Sequence, residues 1–450
     1  MECLGVSSKA QLEKVWQRSM IGLMIVMFAA GQAHGQAPLT QTTWGGSGSD
    51  VADGVATAVD GSAYVVGLTD SFTVDQFGTP SPRIFVVKIA PNGLLVWQRI
   101  WNGPTIRGLG RSGVAIGSDG SVYVTGISAN NQNDAVLIKF SANGDLLWER
   151  TWGGAASDAG FAVATDVDGF AYIAGTATSF GPSSSGLFVV KFNSAGDVVW
   201  QRIFDGAAGN ALAVGPDGSV YAAGTTPRNV IGNFDLLALK ISAGGDLVWQ
   251  RTYSAGEVVD PRGGMAAAPD GSIVIAGAIQ AARAGIVGLA ALIIKLNSDG
   301  SLVFDKQYGR DGENADGVAV APDDGTIYVA GTTASFGAGS QDAFVLHLQP
   351  TGKKGLDAVT WGGNAFEIGG GVSVSGGTVA LAATTSAPPP YSLLVATTKL
   401  SAPRSTLSPG SGTLAAVAGA AANPAAGAST PTGSTTYGGN FEAALVRIAR

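Results

Sequence analysis

Chemistry at a protein site needs titratable or nucleophilic side chains held beside a partner, and this chain offers few of them. It has two histidines and one cysteine in 450 residues, and His34 and Cys3 both fall within the first 35. Without that leading segment the chain keeps His347 alone and no thiol. Disulfides, thiol nucleophiles and Cys-ligated zinc are then excluded together, and a histidine-based triad has one residue to build on. His347 also fills a position taken elsewhere by Lys88, Lys139, Lys191, Lys240 and Lys295, as a structural position would.

The remaining groupings are acidic or aromatic. Asp166-Val167-Asp168-Gly169 begins like a calcium loop, but Ala177 stands where an EF-type loop needs its twelfth-place Glu, so a hairpin turn is expected. The run Arg310 to Asp316 carries Asp311, Glu313 and Asp316 just ahead of a short apolar segment. A phrase recurs as Thr69-Asp70-Ser71-Phe72, Thr178-Ser179-Phe180-Gly181 and Ala334-Ser335-Phe336-Gly337. An aromatic ring flanked by hydroxyls can stack on a sugar or a peptide, or it can fill a gap between packed sheets. Phe72, Phe180, Phe336, Glu313 and Asp316 are therefore the candidate ligand-binding residues. No catalytic, metal or cofactor-binding set stands out, and no cofactor is expected.

The elements that must position these residues follow from an internal repeat. Aligned on one aromatic, the copies fall at Trp44, Trp101, Trp152, Phe204, Tyr253, Tyr308 and Trp361, a period of roughly fifty residues. Each begins with a small apolar strand such as Gly54-Val55-Ala56-Thr57-Ala58 or Gly317-Val318-Ala319-Val320. A tight Asp-Gly turn follows, as at Asp60-Gly61 and Asp119-Gly120. A second strand resembles Ala63-Tyr64-Val65-Val66-Gly67, a third Ile84-Phe85-Val86-Val87-Lys88-Ile89, and a fourth Leu95-Val96-Trp97-Gln98-Arg99. Four short strands per unit with no helical period predict an all-β, seven-bladed β-propeller of four-stranded blades.

The ends of the chain bear on closure. Phe441 to Ile448 reads as a third strand with no fourth after it, whereas Thr40 to Trp44 reads as the end of a fourth strand with nothing before it. The N-terminal strand is expected to close the last blade, which leaves no unpaired edge facing a neighbour. That blade carries an Ala-, Pro-, Gly-, Ser- and Thr-rich insertion at about 387–436, expected to be largely a flexible loop, with Leu393 to Leu400 as a competing third strand. Lysines of the third strand are expected beside the tryptophans of the fourth, cation over indole.

Met20 to Ala30 is an apolar run of eleven residues behind Lys9, Lys14 and Arg18, with small residues at Ala33 and Gly35. This predicts a secretory signal peptide over residues 1–35 and a single domain over 36–450. The run is too short to span a bilayer, so no integral membrane segment is expected after cleavage. The 13% of charged residues and 67 glycines suit strands and tight turns. The full chain carries a net charge of −7, and residues 1–35 hold three of its bases and two of its acids. With no basic block, nucleic acid is not an expected partner.

The unit Thr-Trp-Gly-Gly, then Asp, then Gly-Val-Ala-x-x-x-Asp-Gly-Ser-x-Tyr-Val-x-Gly, Phe-Val-x-Lys and Gly-x-x-x-Trp resembles the bacterial seven-bladed β-propeller, or SBBP, repeat. The resemblance covers residues 40 to about 386 and 437 to 450. It implies an extracytoplasmic protein, secreted, periplasmic or at the cell surface, and carries no general catalytic set. WD repeats run shorter and end in Trp-Asp, where Gln or Glu follows Trp here. The functional expectation is a monomeric, non-enzymatic scaffold binding a protein or glycan of the cell envelope through loops on one face. A glycan hydrolase or lyase at the channel mouth is the alternative, favoured if Arg107, Arg111, Glu257, Asp260, Arg262, Glu313 and Asp316 converge on one pocket.

Overall fold

The computed structural model describes residues 40–72, 82–101, 103, 113–129, 133–181, 183, 185–227, 234–254, 259–260, 264–283, 286–309, 312–335, 337, 340–353, 358–362, 366–375, 377–386, 392–396, 406–409, 414–416, 429–430 and 442–449. Residues 1–35, expected to be a signal peptide, lie outside them. Regular structure among the described residues is entirely β.

After β1 (Thr40–Trp44), the first sheet runs β2 (Asp50–Thr57), β3 (Ala63–Thr69), β4 (Arg83–Ile89) and β5 (Leu95–Trp101). The next is β6 (Gly113–Ile116), β7 (Val122–Ser128), β8 (Asp134–Phe140) and β9 (Leu146–Trp152). Then come β10 (Asp158–Thr165), β11 (Ala171–Ala177), β12 (Gly186–Phe192) and β13 (Val198–Asp205), followed by β14 (Ala208–Val214), β15 (Val220–Pro227), β16 (Phe234–Ile241) and β17 (Leu247–Ser254). In the next sheet β18 (Val259–Asp260) and β19 (Met265–Ala267) both pair β20 (Ile273–Arg283), which leads to β21 (Ile286–Leu296) and β22 (Leu302–Tyr308). Another is β23 (Asn314–Val320), β24 (Ile327–Thr333), β25 (Asp342–Leu348) and β26 (Ala358–Gly362). The last holds β27 (Glu367–Ser375) and β28 (Thr378–Thr385).

Every sheet is antiparallel, and all but the last are built on a meander of successive strands joined by connections that need no crossover. The Asp-Gly hairpins form as expected. Gly61 and Gly120 adopt φ of 79° and 77°, where a side chain is unfavourable, and the Asp60 carboxylate accepts the Ser62 N–H at 2.8 Å. Second and third strands are buried on both faces, which explains their continuous apolar character. Successive sheets pack face to face through one hydrophobic cluster each. Val66, Val86 and Trp101 of the first sheet meet Val124, Ile138 and Phe140 of the second. The circle closes where Trp44, Ala380 and Ala382 pack against Val55, Val65 and Phe85. The molecule is thus an all-β propeller of antiparallel blades with a basic unit of four strands.

The N-terminal strand completes the last sheet. β1 pairs antiparallel with the C-terminal strand, Thr42 opposite Leu445, and that strand pairs β28. The insertion departs from expectation. Four short strands within it, β29 (Ser392–Ala396), β30 (Thr406–Pro409), β31 (Leu414–Ala416) and β32 (Ser429–Thr430), pair with the outer strands β26, β17, β13 and β5 before the chain returns as β33 (Glu442–Ala449). β29 is therefore a fifth, outer strand on the preceding sheet rather than a third strand of its own. Backbone donors on exposed edges recruit even low-complexity chain when it is tethered close by. In the same place where other sheets have a connecting loop, β20 and β21 form a long hairpin, paired as far as Arg283 opposite Ile286.

The lysines lie beside the tryptophans as expected, Lys88 opposite Trp97 and Lys139 opposite Trp148, but they cover a different ring. Lys88, Lys139, Lys191 and Lys240 lie over Tyr64, Tyr123, Tyr172 and Tyr221 of the second strand, with Nζ to ring-centre distances of 5.0 to 5.2 Å. The indoles of Trp97, Trp148, Trp200 and Trp249 are covered instead by Arg99, Arg150, Arg202 and Arg251, at 5.5 to 5.7 Å. Each arginine is two residues along its own strand and so lies on the same face as the tryptophan. His347, in the lysine position, stacks on Tyr328 at 5.3 Å.

Candidate binding face and channel mouth

The loops that enter the inner strands are tied down by buried acids. Asp50, Asp158, Glu313 and Glu367 stand immediately before or at the start of an inner strand and are all fully buried. Asp158 accepts the Gly154 N–H at 2.8 Å, the Thr178 N–H at 3.0 Å, the Ser179 N–H at 3.2 Å and the Ser179 hydroxyl at 2.5 Å. Asp50 accepts the Gly46 N–H at 2.8 Å, the Ser71 hydroxyl at 2.6 Å and the Thr69 hydroxyl. Thr333 donates to Glu313 at 3.2 Å, and Thr385 to Glu367 at 3.1 Å. Burial raises the Asp50 pKa, and the bonds from Ser71, Thr69 and Gly46 only partly oppose it. The recurring Ser-Phe phrase is thus one half of a lock whose other half is an acid.

The aromatic of the phrase turns inward in two copies. Phe72 packs on Trp44 at 5.4 Å and Phe180 on Trp152 at 5.3 Å, each between one sheet and the next. Phe336 lies outside the described residues, as do Arg107, Arg111, Glu257 and Arg262. Asp260 is placed by its backbone only.

A different set reaches the channel. The inner strands carry a β-bulge at matching places, between Ala52 and Gly54, Gly160 and Ala162, Gly209 and Ala211, Ala315 and Gly317, and Gly369 and Val372. The extra residues are Asp53, Phe161, Asn210, Asp316 and the pair Gly370-Gly371. All of them line one cavity of about 490 Å³ at the axis. A bulge breaks the alternation of the strand and re-aims a side chain, so at this place the repeat delivers to the channel a carboxylate from two sheets, a ring or an amide from two others, and bare backbone from the fifth.

Their states differ. Asn314 donates to both carboxylate oxygens of Asp316, at 3.0 and 2.9 Å, and the Thr332 hydroxyl donates at 3.3 Å. Phe161 belongs to no hydrophobic cluster among the described residues, although it is half-buried. Of the sequence candidates, Asp316 reaches the cavity, whereas Glu313 is a buried loop anchor three residues earlier. Asp53, Phe161 and Asn210 were missed. The available signal was the single residue that interrupts the small-residue alternation before Gly54, Ala162 and Ala211.

Asp166 forms the expected turn. It accepts the Phe170 N–H at 2.9 Å and the Tyr172 hydroxyl at 2.7 Å, and no cluster of three metal-ligating side chains occurs among the described residues. No helix among them is long and apolar enough to cross a membrane.

A family described as a domain of unknown function (DUF5122) β-propeller matches residues 117–146, about half of one repeat. No curated protein matches the chain. Similar solved structures include an ACO/RPE65 chimera, 8% identical over 74% of this chain and 91% of that one, with a TM-score of 0.36. A eukaryotic initiation factor is 11% identical over 82% and 98%, with a TM-score of 0.34. A GH43_12 protein from a capybara gut metagenome is 11% identical over 90% and 93%, with a TM-score of 0.30. All three scores are low and carry no argument about function.

Proposed function

We propose that the protein is an exported, monomeric, seven-bladed propeller of the SBBP type, and that it serves as a non-enzymatic binding scaffold for a protein or glycan of the cell envelope. The observation that carries this reading is the contrast between the fixed repeat and the varied bulge residues. The bulge positions carry carboxylates at Asp53 and Asp316, a ring at Phe161 and an amide at Asn210 while the frame around them is constant, which is the pattern of a rigid platform presenting a specific surface. Inner strands β2, β6, β10, β14, β19, β23 and β27 all contribute to the cavity wall, which supports the blade number. Residues 1–35 and the SBBP-like repeat support export.

The ligand is taken on the face where the acid-locked loops surround the channel mouth. Phe72 and Phe180 contribute by stiffening that face. The test is a thermal-shift and capture experiment on residues 36–450 with envelope glycans, divalent cations and envelope extract, beside an Asn210→Arg variant that fills the mouth. A ligand of the folded state raises its melting temperature. Binding by the wild type that is lost in the variant supports the reading. If no ligand of any class shifts or is captured by the wild type, the reading fails. A glycan-active enzyme is the second reading, favoured by Asp53 and Asp316 sharing one cavity, and turnover of a bound glycan would establish it.

A further inference from the structure

We infer that the channel mouth binds a neutral oligosaccharide, with Phe161 as its stacking platform and Asp53, Asn210 and Asp316 as its hydroxyl-reading groups. The inference rests on the binding-scaffold reading and names its ligand class.

The geometry supplies three requirements of sugar recognition at one level of one cavity. First, an aromatic face is available: Phe161 is half-buried, lines the cavity and packs into no described core cluster. A ring that the fold does not use for packing can meet the C–H face of a pyranose. Second, hydroxyls of a sugar act as both donors and acceptors, and the cavity offers carboxylate acceptors with an amide that can do either. Asn210 makes no side-chain hydrogen bond among the described residues. The Asp316 carboxylate is held in place by Asn314 and Thr332. Third, there is room. Between β23 and β2 the bulge of β27 is Gly370-Gly371, which packs on the β2 backbone and projects no side chain between Asp316 and Asp53, although Ile368 and Val372 of the same strand also line the cavity. The volume of about 490 Å³ suits two or three sugar units rather than a folded protein element.

A cation fits less well. Calcium needs six to eight oxygens close together, whereas the two bulge carboxylates are on β2 and β23, with β27 between them. A peptide is disfavoured because much of the apolar wall, including Val55, Leu212, Val318 and Val372, is already buried in the clusters between sheets and is not offered to an anchor side chain.

The experiment is calorimetry of the chain from residue 36 with cellotriose, xylotriose, maltotriose and chitotriose, and with calcium chloride as the competing probe. At least one trisaccharide is expected to bind. Asn210→Ala and Phe161→Ala are each expected to weaken it by about tenfold or more, while Val167→Ser, on an exposed turn at the opposite end of β10, leaves it unchanged. Should Phe161→Ala fail to fold, Asn210→Ala decides. Absence of binding by all four sugars, or equal binding by wild type and Asn210→Ala, overturns the inference. So does a calcium response abolished by Asp53→Asn. Hydrolysis of the bound sugar would keep the ligand class and overturn the non-enzymatic reading. Capture of an envelope protein at the mouth without sugar binding would do the reverse.

Discussion

A series of single hydrogen bonds links outer strands at five places around the circle, and the Tyr308 hydroxyl, at the corresponding position, makes none among the described residues. Trp44 donates to Gln98 at 2.7 Å, Trp101 to Glu149 at 2.6 Å, Trp152 to Gln201 at 2.7 Å, Tyr253 to Asp305 at 2.7 Å and Trp361 to Gln41 at 3.1 Å. At one station the donor is missing: Phe204 replaces it, and the buried Oε1 of Gln250 has no partner. Phe204→Tyr is therefore expected to stabilise the protein by about 1 kcal/mol, read from the denaturant midpoint; no gain would show that the hydroxyl cannot reach. The turn aspartates give a pH signature. Burial opposes ionisation of Asp119, Asp217 and Asp270, but bonds from Ser121, Ser219 and Ser272 and the charges of Lys139, Lys240 and Lys295 outweigh it and hold each carboxyl below its usual 3.8. A carboxyl lowered on folding adds stability above its unfolded pKa, and that stability is lost as pH falls through the folded value. These side chains are 53 to 61% exposed, so each contribution is small. Replacing all three with Asn is expected to flatten the decline in stability below about pH 4.5, measured as denaturant midpoints at neutral and acid pH. An unchanged decline would rule the pairs out as its source.

At the scale of the element, the bulged inner strand and the glycine of the second strand form one device. A Cβ on Gly67, Gly175, Gly224 or Gly331 would overlap the carbonyl oxygen of Val51, Ala159, Ala208 or Asn314 on the adjoining inner strand. Gly175→Ala is expected to cost more than about 3 kcal/mol, with the loss seen in both the melting temperature and the near-ultraviolet circular dichroism; a near-neutral effect would mean that the inner strand can retreat. Loop locking is tested at Asp158. Asp158→Ala leaves the Gly154 and Ser179 N–H groups without their acceptor, while the Thr178 N–H keeps the Ser157 carbonyl, and is expected to cost on the order of 3 kcal/mol, with hydrogen exchange of the Ser179 amide accelerated before that of β11. Exchange that rises uniformly would point to a global effect instead.

For the whole molecule the decisive contact is the one between the chain ends. β1 supplies the outer strand beside β33, the buried Trp44 side chain, and Gln41 as acceptor for Trp361. Removing residues 36–44 opens the edge of β33 and empties the space of one tryptophan. The expected result is a loss of more than about 4 kcal/mol or outright aggregation through the bared edge, followed by chemical denaturation and light scattering. A truncated chain that melts like the intact one would show that closure does not depend on β1.

Fold class was legible because the propeller is built locally. Alternating apolar residues, Asp-Gly turns and a period near fifty residues are all written within single blades, and hairpins obey them without knowing their neighbours. The pairing of β1 was legible from two incomplete repeats at opposite ends. The site was only partly so. Asp316 was identifiable as an acid before an inner strand, but its separation from Glu313 into channel group and buried anchor depends on a bulge, and a bulge is one residue of extra backbone with little sequence signature. The recurring Ser-Phe phrase was visible as a repeat, yet its partners Asp50 and Asp158 lie about twenty residues earlier and meet it only when β2 pairs β3 and β10 pairs β11. The course of the insertion lay beyond composition altogether, since an Ala- and Pro-rich segment takes its pairing from whichever outer strands the folded ring brings within reach.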